Sequence, residues 1–210
     1  VLLLHSGTNL INDYYDYQSG LDNEESYGSS GVLVEGLLQP HQLRKQGLIC
    51  LVLVIPVAIY LSYLRGLELG FLILFGLIGG YTYTAKPVNY KYYGLGVPLV
   101  FILMGPSMVI GAYYVQTASY SSDVLFSSIP LGLLVSAILH SNDLRDIKYD
   151  SRVSINTLAI LLGKKLAGKL YFVLVGLAYI FLIYLVYRSI ITSWALVTLI
   201  TLPYAMKNIT

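Results

Sequence analysis

The sequence is short of charged residues and of cysteine, and each shortage excludes a class of protein. Charged residues occupy 11% of its 210 positions, whereas soluble domains carry about 25%. There is therefore too little polar surface to cover a water-soluble globule. The single cysteine, Cys50, excludes a disulfide framework and a thiolate zinc site. The net charge of +2 gives no indication of a nucleic-acid partner.

Apolar residues are the abundant class, at 56% of the chain. Uncharged apolar stretches of about 18 residues or more are candidate transmembrane helices, because about 20 helical residues span the hydrocarbon core of a bilayer. The sequence thus predicts an all-α fold, a polytopic transmembrane helical bundle with about seven visible spans, the first of them partial. These segments are residues 1–11, 46–64, 69–85, 97–115, 124–141, 170–187 and 189–206.

The start of the sequence is typical of a fragment. The sequence begins within an apolar segment, without a starting Met and without a signal peptide. We therefore expect a fragment: a single transmembrane domain over residues 1–210, truncated at the N-terminus and also at the C-terminus.

The spans and the basic residues together predict an orientation. If each segment crosses the membrane once, residues 12–22 and 140–150 emerge on the same side. That side receives eleven of the thirteen Lys and Arg residues, and the other side receives Arg65 and Arg188. Basic residues favour the cytoplasmic side. We therefore expect an integral membrane protein of the cell inner membrane with both stretches facing the cytoplasm.

The first of these stretches is NDYYDYQSGLD, residues 12–22. Asn12 and Asp16 are four residues apart, which places both side chains on one face of a helix. Gly20 can end that helix and let Asp22 turn back toward it. The stretch therefore predicts an acidic helix end at the membrane surface.

The second stretch, NDLRDIKYD, is an imperfect copy of the first. Asn142, Asp146 and Asp150 follow one another at intervals of four residues and share a helix face. The two copies lie about 130 residues apart, which hints at an internal duplication of a helix group.

Crowded carboxylates repel one another unless a proton or a cation lies between them. Ligand sets of oxygen atoms alone, from Asp and Asn, suit Mg²⁺, which also binds substrate phosphates. We therefore predict that the two stretches face each other and hold Mg²⁺ ions bridging a diphosphate. The predicted metal ligands are Asp13, Asp16, Asp22, Asp146 and Asp150.

Three other interpretations are open on these residues alone. The charges can be solvated loop residues at a membrane edge. They can mark a cation-coupled membrane transporter, although transporter sites lie near the bilayer midplane, whereas these residues lie at the ends of spans. The chain can also be a scaffold that retains the motif without catalysis.

The paired Asp-rich stretches resemble those of the UbiA superfamily of intramembrane aromatic prenyltransferases, and the resemblance covers nearly the whole chain. Within that family, GVLVEGLL (residues 31–38), GYTYTAKPVNYKYYGLG (residues 80–96), GPSMVIGAYYVQT (residues 105–117) and RDIKYDSRVSINTLAILLG (residues 145–163) resemble the MenA-type branch. That branch comprises 1,4-dihydroxy-2-naphthoate polyprenyltransferases. Family members have about nine transmembrane helices.

The resemblance implies Mg²⁺-dependent transfer of a polyprenyl group from a prenyl diphosphate to an aromatic acceptor. The implied acceptor is 1,4-dihydroxy-2-naphthoate, in menaquinone biosynthesis, with the active site facing the cytoplasm. A hydroxybenzoate, homogentisate, a porphyrin or a lipid glycerol phosphate are alternative acceptors. Tyr83, Tyr14 and Tyr15 are candidates for lining a dry chamber around an allyl cation.

The resemblance also assigns roles to the charged and polar residues. The expected catalytic residues are Asp16, Asp146, Arg145 and Lys86. The expected substrate-binding residues are Asn12, Asn142, Lys91 and Tyr83. Of the basic side chains, Arg145 is best placed to grip a phosphate with two hydrogen bonds, because it adjoins Asp146.

Overall fold

A computed structural model describes residues 1–23, 30–153 and 155–207, and within them all regular secondary structure is helical. The predicted all-α fold class is confirmed. The α-helices are α1 (Leu2–Ser19), α2 (Pro40–Arg65), α3 (Leu67–Thr82), α4 (Gly96–Ile102), α5 (Met108–Thr117), α6 (Ser122–Asp150), α7 (Leu158–Tyr187) and α8 (Leu202–Lys207). Short 3₁₀ segments cover Tyr90–Tyr93, Ser151–Val153 and Ser193–Thr201.

Four of the described helical segments are long and apolar enough to cross a membrane. They are Pro40–Arg65, Gly96–Thr117, Ser122–Val153 and Leu158–Tyr187. A fifth apolar helix, Leu67–Thr82, is shorter, with 16 residues. The segment predicted at residues 189–206 is a 3₁₀ stretch followed by α8 rather than one continuous α-helix.

Proline and glycine modify two of the spanning segments. A π-helical stretch at Leu103–Ser107 joins α4 to α5 and contains Pro106. A π-bulge accommodates the carbonyl group that a proline, which lacks an N–H, cannot pair. Helix α7 is interrupted at Gly163, whose φ of 72° lies in the left-handed region.

The chain divides into two compact units. The first comprises Val1–Gly96 and Arg145–Thr157. In it, α1 packs against α2 and α3, and its buried core contains Ile11, Leu51 and Ala85. The close approach of α1 and α2 depends on glycine: a Cβ at Gly7 would lie 2.8 Å from Leu51. Small residues of this kind allow membrane helices to pack closely.

The second unit comprises Val97–Leu144 and the chain from Leu158 onward. Its core contains Ala137 of α6 and Tyr171, Val175 and Tyr179 of α7. The Tyr171 hydroxyl donates a hydrogen bond of 2.9 Å to the carbonyl oxygen of Ala205, which attaches α8 to α7. The Tyr179 hydroxyl pairs with the Thr201 hydroxyl at 2.7 Å, so both tyrosines of this core pair their polar ends where lipid offers no partner.

Candidate functional site

The C-terminal end of α1 positions the first Asp-rich stretch. Gly20 follows the helix with φ 77°, and the Leu21 N–H donates to the Asp16 carbonyl oxygen at 2.9 Å. This is the turn that the sequence predicts, because glycine adopts the left-handed conformation without a steric cost. It leaves Asp16 and Asp22 buried, at 3% and 9% exposure.

Both carboxylate oxygens of Asp16 have partners. The Lys91 ammonium lies 2.6 Å from Oδ2, and the Tyr92 hydroxyl donates to Oδ1 at 2.7 Å. The Asn12 side-chain amide donates to Oδ2 at 2.9 Å from one turn earlier in α1. A buried carboxylate is stable only when it is paired in this way. Asp16 is therefore the centre of a polar network inside the first unit.

The segment after α3 places Lys91 and Tyr92 against α1. The 3₁₀ turn Tyr90–Tyr93 is bounded by Asn89 and Gly94, both with positive φ. The Tyr90 hydroxyl donates to the Gly79 carbonyl oxygen of α3 and so attaches the turn to that helix. Two left-handed residues around one short turn direct consecutive side chains to the same carboxylate.

A backbone hydrogen bond joins this turn to the segment that follows the second Asp-rich stretch. The Asn156 N–H donates to the Tyr92 carbonyl oxygen at 3.1 Å. The neighbouring Ile155 and Thr157 are buried, at 4% and 2% exposure. Residues that follow α6 therefore pack beside the partners of Asp16.

The electrostatic environment keeps Lys91 charged and Tyr92 neutral. Burial lowers the pKa of Lys91, but the adjacent Asp16 carboxylate outweighs it and raises that pKa above its ordinary value. Burial also raises the pKa of Tyr92, and the negative charge of Asp16 raises it further. The ammonium and the phenol therefore both remain donors to Asp16 at neutral pH.

Helix α6 contains the whole second Asp-rich stretch and ends at Asp150. Asn142, Asp146 and Asp150 therefore lie along one helix, as predicted. Arg145 donates two hydrogen bonds to Asp146, at 2.8 Å from Nε and 2.7 Å from the terminal nitrogen. Asp150 is buried, at 6% exposure. Its charged neighbours are Lys91, Asp146, Asp16 and Arg145. Carboxylates from both stretches thus share one electrostatic environment in the first unit.

Of the other predicted site residues, Asp13 and Tyr83 interact with this network, and Lys86 and Asn142 are exposed. Asp13 is half-buried and interacts electrostatically with Asp16 and Lys91. The Tyr83 ring lies 5.9 Å from the Lys91 ammonium, within the range of a cation–π contact. Lys86 is exposed, and it takes no part in the Lys91–Asp16 and Arg145–Asp146 ion pairs. Asn142 is exposed on α6, in the part of that helix assigned to the second unit.

Tyr92 is the residue of this network that the sequence did not single out. The chain contains 20 tyrosines, many at the ends of spans, where an interfacial role is common. The available signal was its position beside Lys91, in a short run rich in tyrosine and bounded by Asn89 and Gly94. Only the turn geometry shows that its hydroxyl reaches Asp16.

The donor set bears on whether a divalent cation fits. Among the described residues, no three His, Cys, Asp or Glu side chains group closely enough to enclose a metal ion. Asp150 is nevertheless a buried carboxylate, and its charged neighbours include Asp146 and Asp16. Mg²⁺ typically uses one or two carboxylates together with water and substrate phosphates. The residues therefore fit a cation that a diphosphate helps to hold.

Comparison with known proteins gives a consistent family match. Residues 1–209 match the model of the UbiA prenyltransferase family. The chain is 39% identical over 202 residues to UbiA prenyltransferase domain-containing protein 1 of Rattus norvegicus, covering 94% of the chain and 59% of that protein. The human protein of the same name is 36% identical over 213 residues, covering 99% of the chain and 61% of that protein.

A bacterial relative has a more specific name. The 1,4-dihydroxy-2-naphthoate octaprenyltransferase of Bacillus subtilis (strain 168) is 33% identical over 208 residues, covering 99% of the chain and 67% of that protein. The chain therefore spans about three fifths of the mammalian relatives and two thirds of the bacterial one.

Proposed function

Because the chain belongs to the UbiA prenyltransferase family, we propose that it transfers a polyprenyl group from a prenyl diphosphate to an aromatic acceptor. The observation that supports this most directly is the shared environment of Asp16 and Asp150, one from each Asp-rich stretch, around Lys91. Two acidic helix ends and a largely buried ammonium suit a polyanionic leaving group held through divalent metal.

Asp150 and Asp146 are the residues best suited to hold the cation, with Asp13 and Asp22 as further oxygen donors. We assign this cation as Mg²⁺, on the chemistry of an all-oxygen donor set. Bound there, it would supply positive charge against the negative charge that develops on the diphosphate as the allylic C–O bond breaks.

The basic residues have distinct places in this proposal. Lys91 remains paired with Asp16 and adds fixed positive charge beneath the diphosphate site. Arg145 has a more exposed side chain, 45% accessible, so its two-pronged donor can move from Asp146 to a phosphate. Lys86, which is exposed in the same segment as Lys91, is proposed as a further contact for the diphosphate.

The aromatic acceptor attacks the allyl cation once the diphosphate has left. Tyr83 lies beside Lys91 and contacts the Tyr90 ring edge-on, with centroids 5.5 Å apart, so it offers an aromatic surface next to the proposed diphosphate site. Tyr14 and Tyr15 offer a second aromatic pair on α1. Aromatic side chains stabilise a cation without reacting as water would.

We propose 1,4-dihydroxy-2-naphthoate as the acceptor, which places the reaction in menaquinone biosynthesis. The name of the Bacillus subtilis relative supports this choice. With this acceptor, a new C–C bond forms and the ring loses CO₂ and a proton. The four helices able to span a membrane support an integral membrane protein. We propose that it lies in the cell inner membrane with the site toward the cytoplasm.

The test incubates membranes containing the chain with a labelled prenyl diphosphate, Mg²⁺ and a panel of aromatic acceptors. We expect prenylated naphthoate, its loss when EDTA is added, and a decrease of about 10²-fold or more in Asp146→Ala and Asp150→Asn. Asp123→Asn is the matched control, because Asp123 is exposed in the first turn of α6. Labelled product formed in EDTA, or by Asp146→Ala at the unaltered rate, would refute the assigned roles.

A further inference from the structure

A groove on the first unit is formed by α1 and the first turns of α2, and Tyr14 is the one described lining residue that also has a place in the proposed reaction. It has a volume of about 750 Å³ and is lined at one end by Tyr14, Arg44 and Lys45 and at the other by Leu48, Ile49 and Val52. A volume of this size accommodates a drug-sized ligand or a segment of lipid. The groove therefore combines a cationic end with an apolar wall.

The cationic end is available to an anion. Arg44 and Lys45 are exposed, and neither takes part in the Lys91–Asp16 or the Arg145–Asp146 ion pair. The Arg44 guanidinium lies 5.6 Å from the centroid of the Tyr14 ring. Stacking against an aromatic face restrains the guanidinium and leaves its N–H groups free to bind a phosphate.

The apolar wall begins directly after these cations. Leu48, Ile49 and Val52 are 36%, 47% and 58% exposed, although all three are large and apolar. They belong to one face of α2, which is long and apolar enough to span a membrane. Leu48 is three positions after Lys45, a rise of about 4.5 Å along the helix axis. The change from cationic to apolar lining thus occurs over the distance between a lipid headgroup and its first methylenes.

We propose that this groove binds an anionic phospholipid. Its phosphate would contact Arg44 and Lys45, and one acyl chain would cover Leu48, Ile49 and Val52. Charge complementarity favours an anionic over a zwitterionic lipid, since the described residues that line the groove bring two cations and no acidic side chain to the headgroup. The apolar wall favours a lipid over free phosphate, because only an acyl chain can bury the apolar side chains and so contribute to the binding free energy. This proposal does not depend on the proposed reaction.

The test measures which lipids the purified chain retains, by native mass spectrometry after exchange into detergent with equal amounts of phosphatidylglycerol and phosphatidylcholine. We expect preferential retention of phosphatidylglycerol. The double variant Arg44→Gln/Lys45→Gln should reduce that retention roughly thirtyfold, since each cation near a membrane surface contributes about a factor of five. The matched control is Lys164→Gln/Lys165→Gln, an exposed basic pair outside the groove, which should change retention less than twofold.

A second pair of variants tests the wall while leaving every charge in place. Val52→Trp fills the groove and should lower phosphatidylglycerol retention, whereas Ile59→Trp, on an exposed part of α2 outside the groove, should not. Equal losses in the two charge variants, or no difference between the two Trp variants, would overturn the proposal. So would displacement of the lipid by inorganic phosphate alone or by geranylgeranyl diphosphate, because the occupant would then be a free anion or the prenyl donor.

Discussion

Asp16 is a carboxylate removed from water whose charge is balanced by one ammonium and two neutral donors. Taking such a group out of water costs roughly several kcal/mol, and partners offset this cost only when their hydrogen-bond geometry is good. The distances of 2.6 Å to Lys91 and 2.7 Å to Tyr92 meet that condition. The stability of the first unit is therefore expected to depend on these two side chains individually.

The first prediction concerns Lys91→Met, which keeps the approximate volume of the side chain but removes its charge. It leaves the buried Asp16 carboxylate without a counter-ion, so we expect a loss of about 3–5 kcal/mol in the free energy of unfolding. Thermal unfolding in detergent measures this loss. Lys86→Met is the control, because Lys86 is exposed, and it should change the unfolding temperature little.

The pH dependence of this loss is also predicted. Because Asp16 raises the pKa of Lys91 in the folded chain above its unfolded value of about 10.4, the stabilisation is complete below that unfolded value. It disappears only as pH rises through the higher folded pKa. The difference between wild type and Lys91→Met should therefore be constant from about pH 7 to about pH 9. A difference that shrinks within this range contradicts the assignment.

Tyr92→Phe tests the neutral donor to Asp16. The variant removes a hydrogen bond to a charged group, and we expect a loss of about 1.5–3 kcal/mol in stability. Tyr93→Phe is a matched control in the next position, since Tyr93 is 62% exposed. Equal unfolding temperatures for the two variants would mean that the Tyr92 hydroxyl contributes nothing to the network.

At the scale of secondary-structure elements, glycine decides how closely helices approach within each unit. In the second unit, a Cβ added at Gly105 would lie 2.8 Å from the Cα of Gly132 on α6. Contact between backbones at this distance leaves no side chain to move aside. The segment that joins α4 to α5 therefore depends on this glycine for its packing against α6.

Gly105→Ala is accordingly predicted to destabilise the chain by about 1–3 kcal/mol through overpacking. Gly176→Ala in α7 is the control, because nothing lies within 4 Å of an added Cβ there. That variant should be neutral or more stable by up to about 1 kcal/mol, from the higher helix propensity of alanine. Thermal unfolding of the two variants side by side decides the matter, and a Gly105→Ala protein as stable as wild type contradicts it.

The elements also differ in how far their sequence predicted them. The end of α1 at Gly20 and the spacing of Asn142, Asp146 and Asp150 along α6 follow from local rules of capping and helical periodicity. The 3₁₀ stretch at Ser193–Thr201 did not, because a mostly apolar run has no clear periodicity that distinguishes one helix type from another. Periodicity likewise does not predict the π-helical stretch around Pro106, although a proline within a span indicates some distortion of the helix there.

At the scale of the whole molecule, the distribution of basic residues predicts which loops face the cytoplasm. Cysteine substitution in a Cys50→Ser background, with a membrane-impermeant maleimide, measures this. Lys86→Cys should be labelled in inside-out vesicles and protected in right-side-out vesicles. Tyr63 is exposed and lies near Arg65, at the C-terminal end of α2. Tyr63→Cys should therefore be labelled in right-side-out vesicles and protected in inside-out vesicles. Labelling of both positions from the same side contradicts the predicted orientation.

The sequence by itself determined that the chain is helical, that it suits a membrane and that it carries two acidic helix ends of the UbiA type. These properties are local, since they depend on apolar runs, four-residue spacing and a glycine cap. Only the tertiary structure decided which basic residue pairs with Asp16. Lys86 and Lys91 lie in the same segment, but the left-handed Asn89 and Gly94 direct Lys91 to a carboxylate 75 residues earlier in the chain. No periodicity encodes such a contact, because it depends on how separate helices pack.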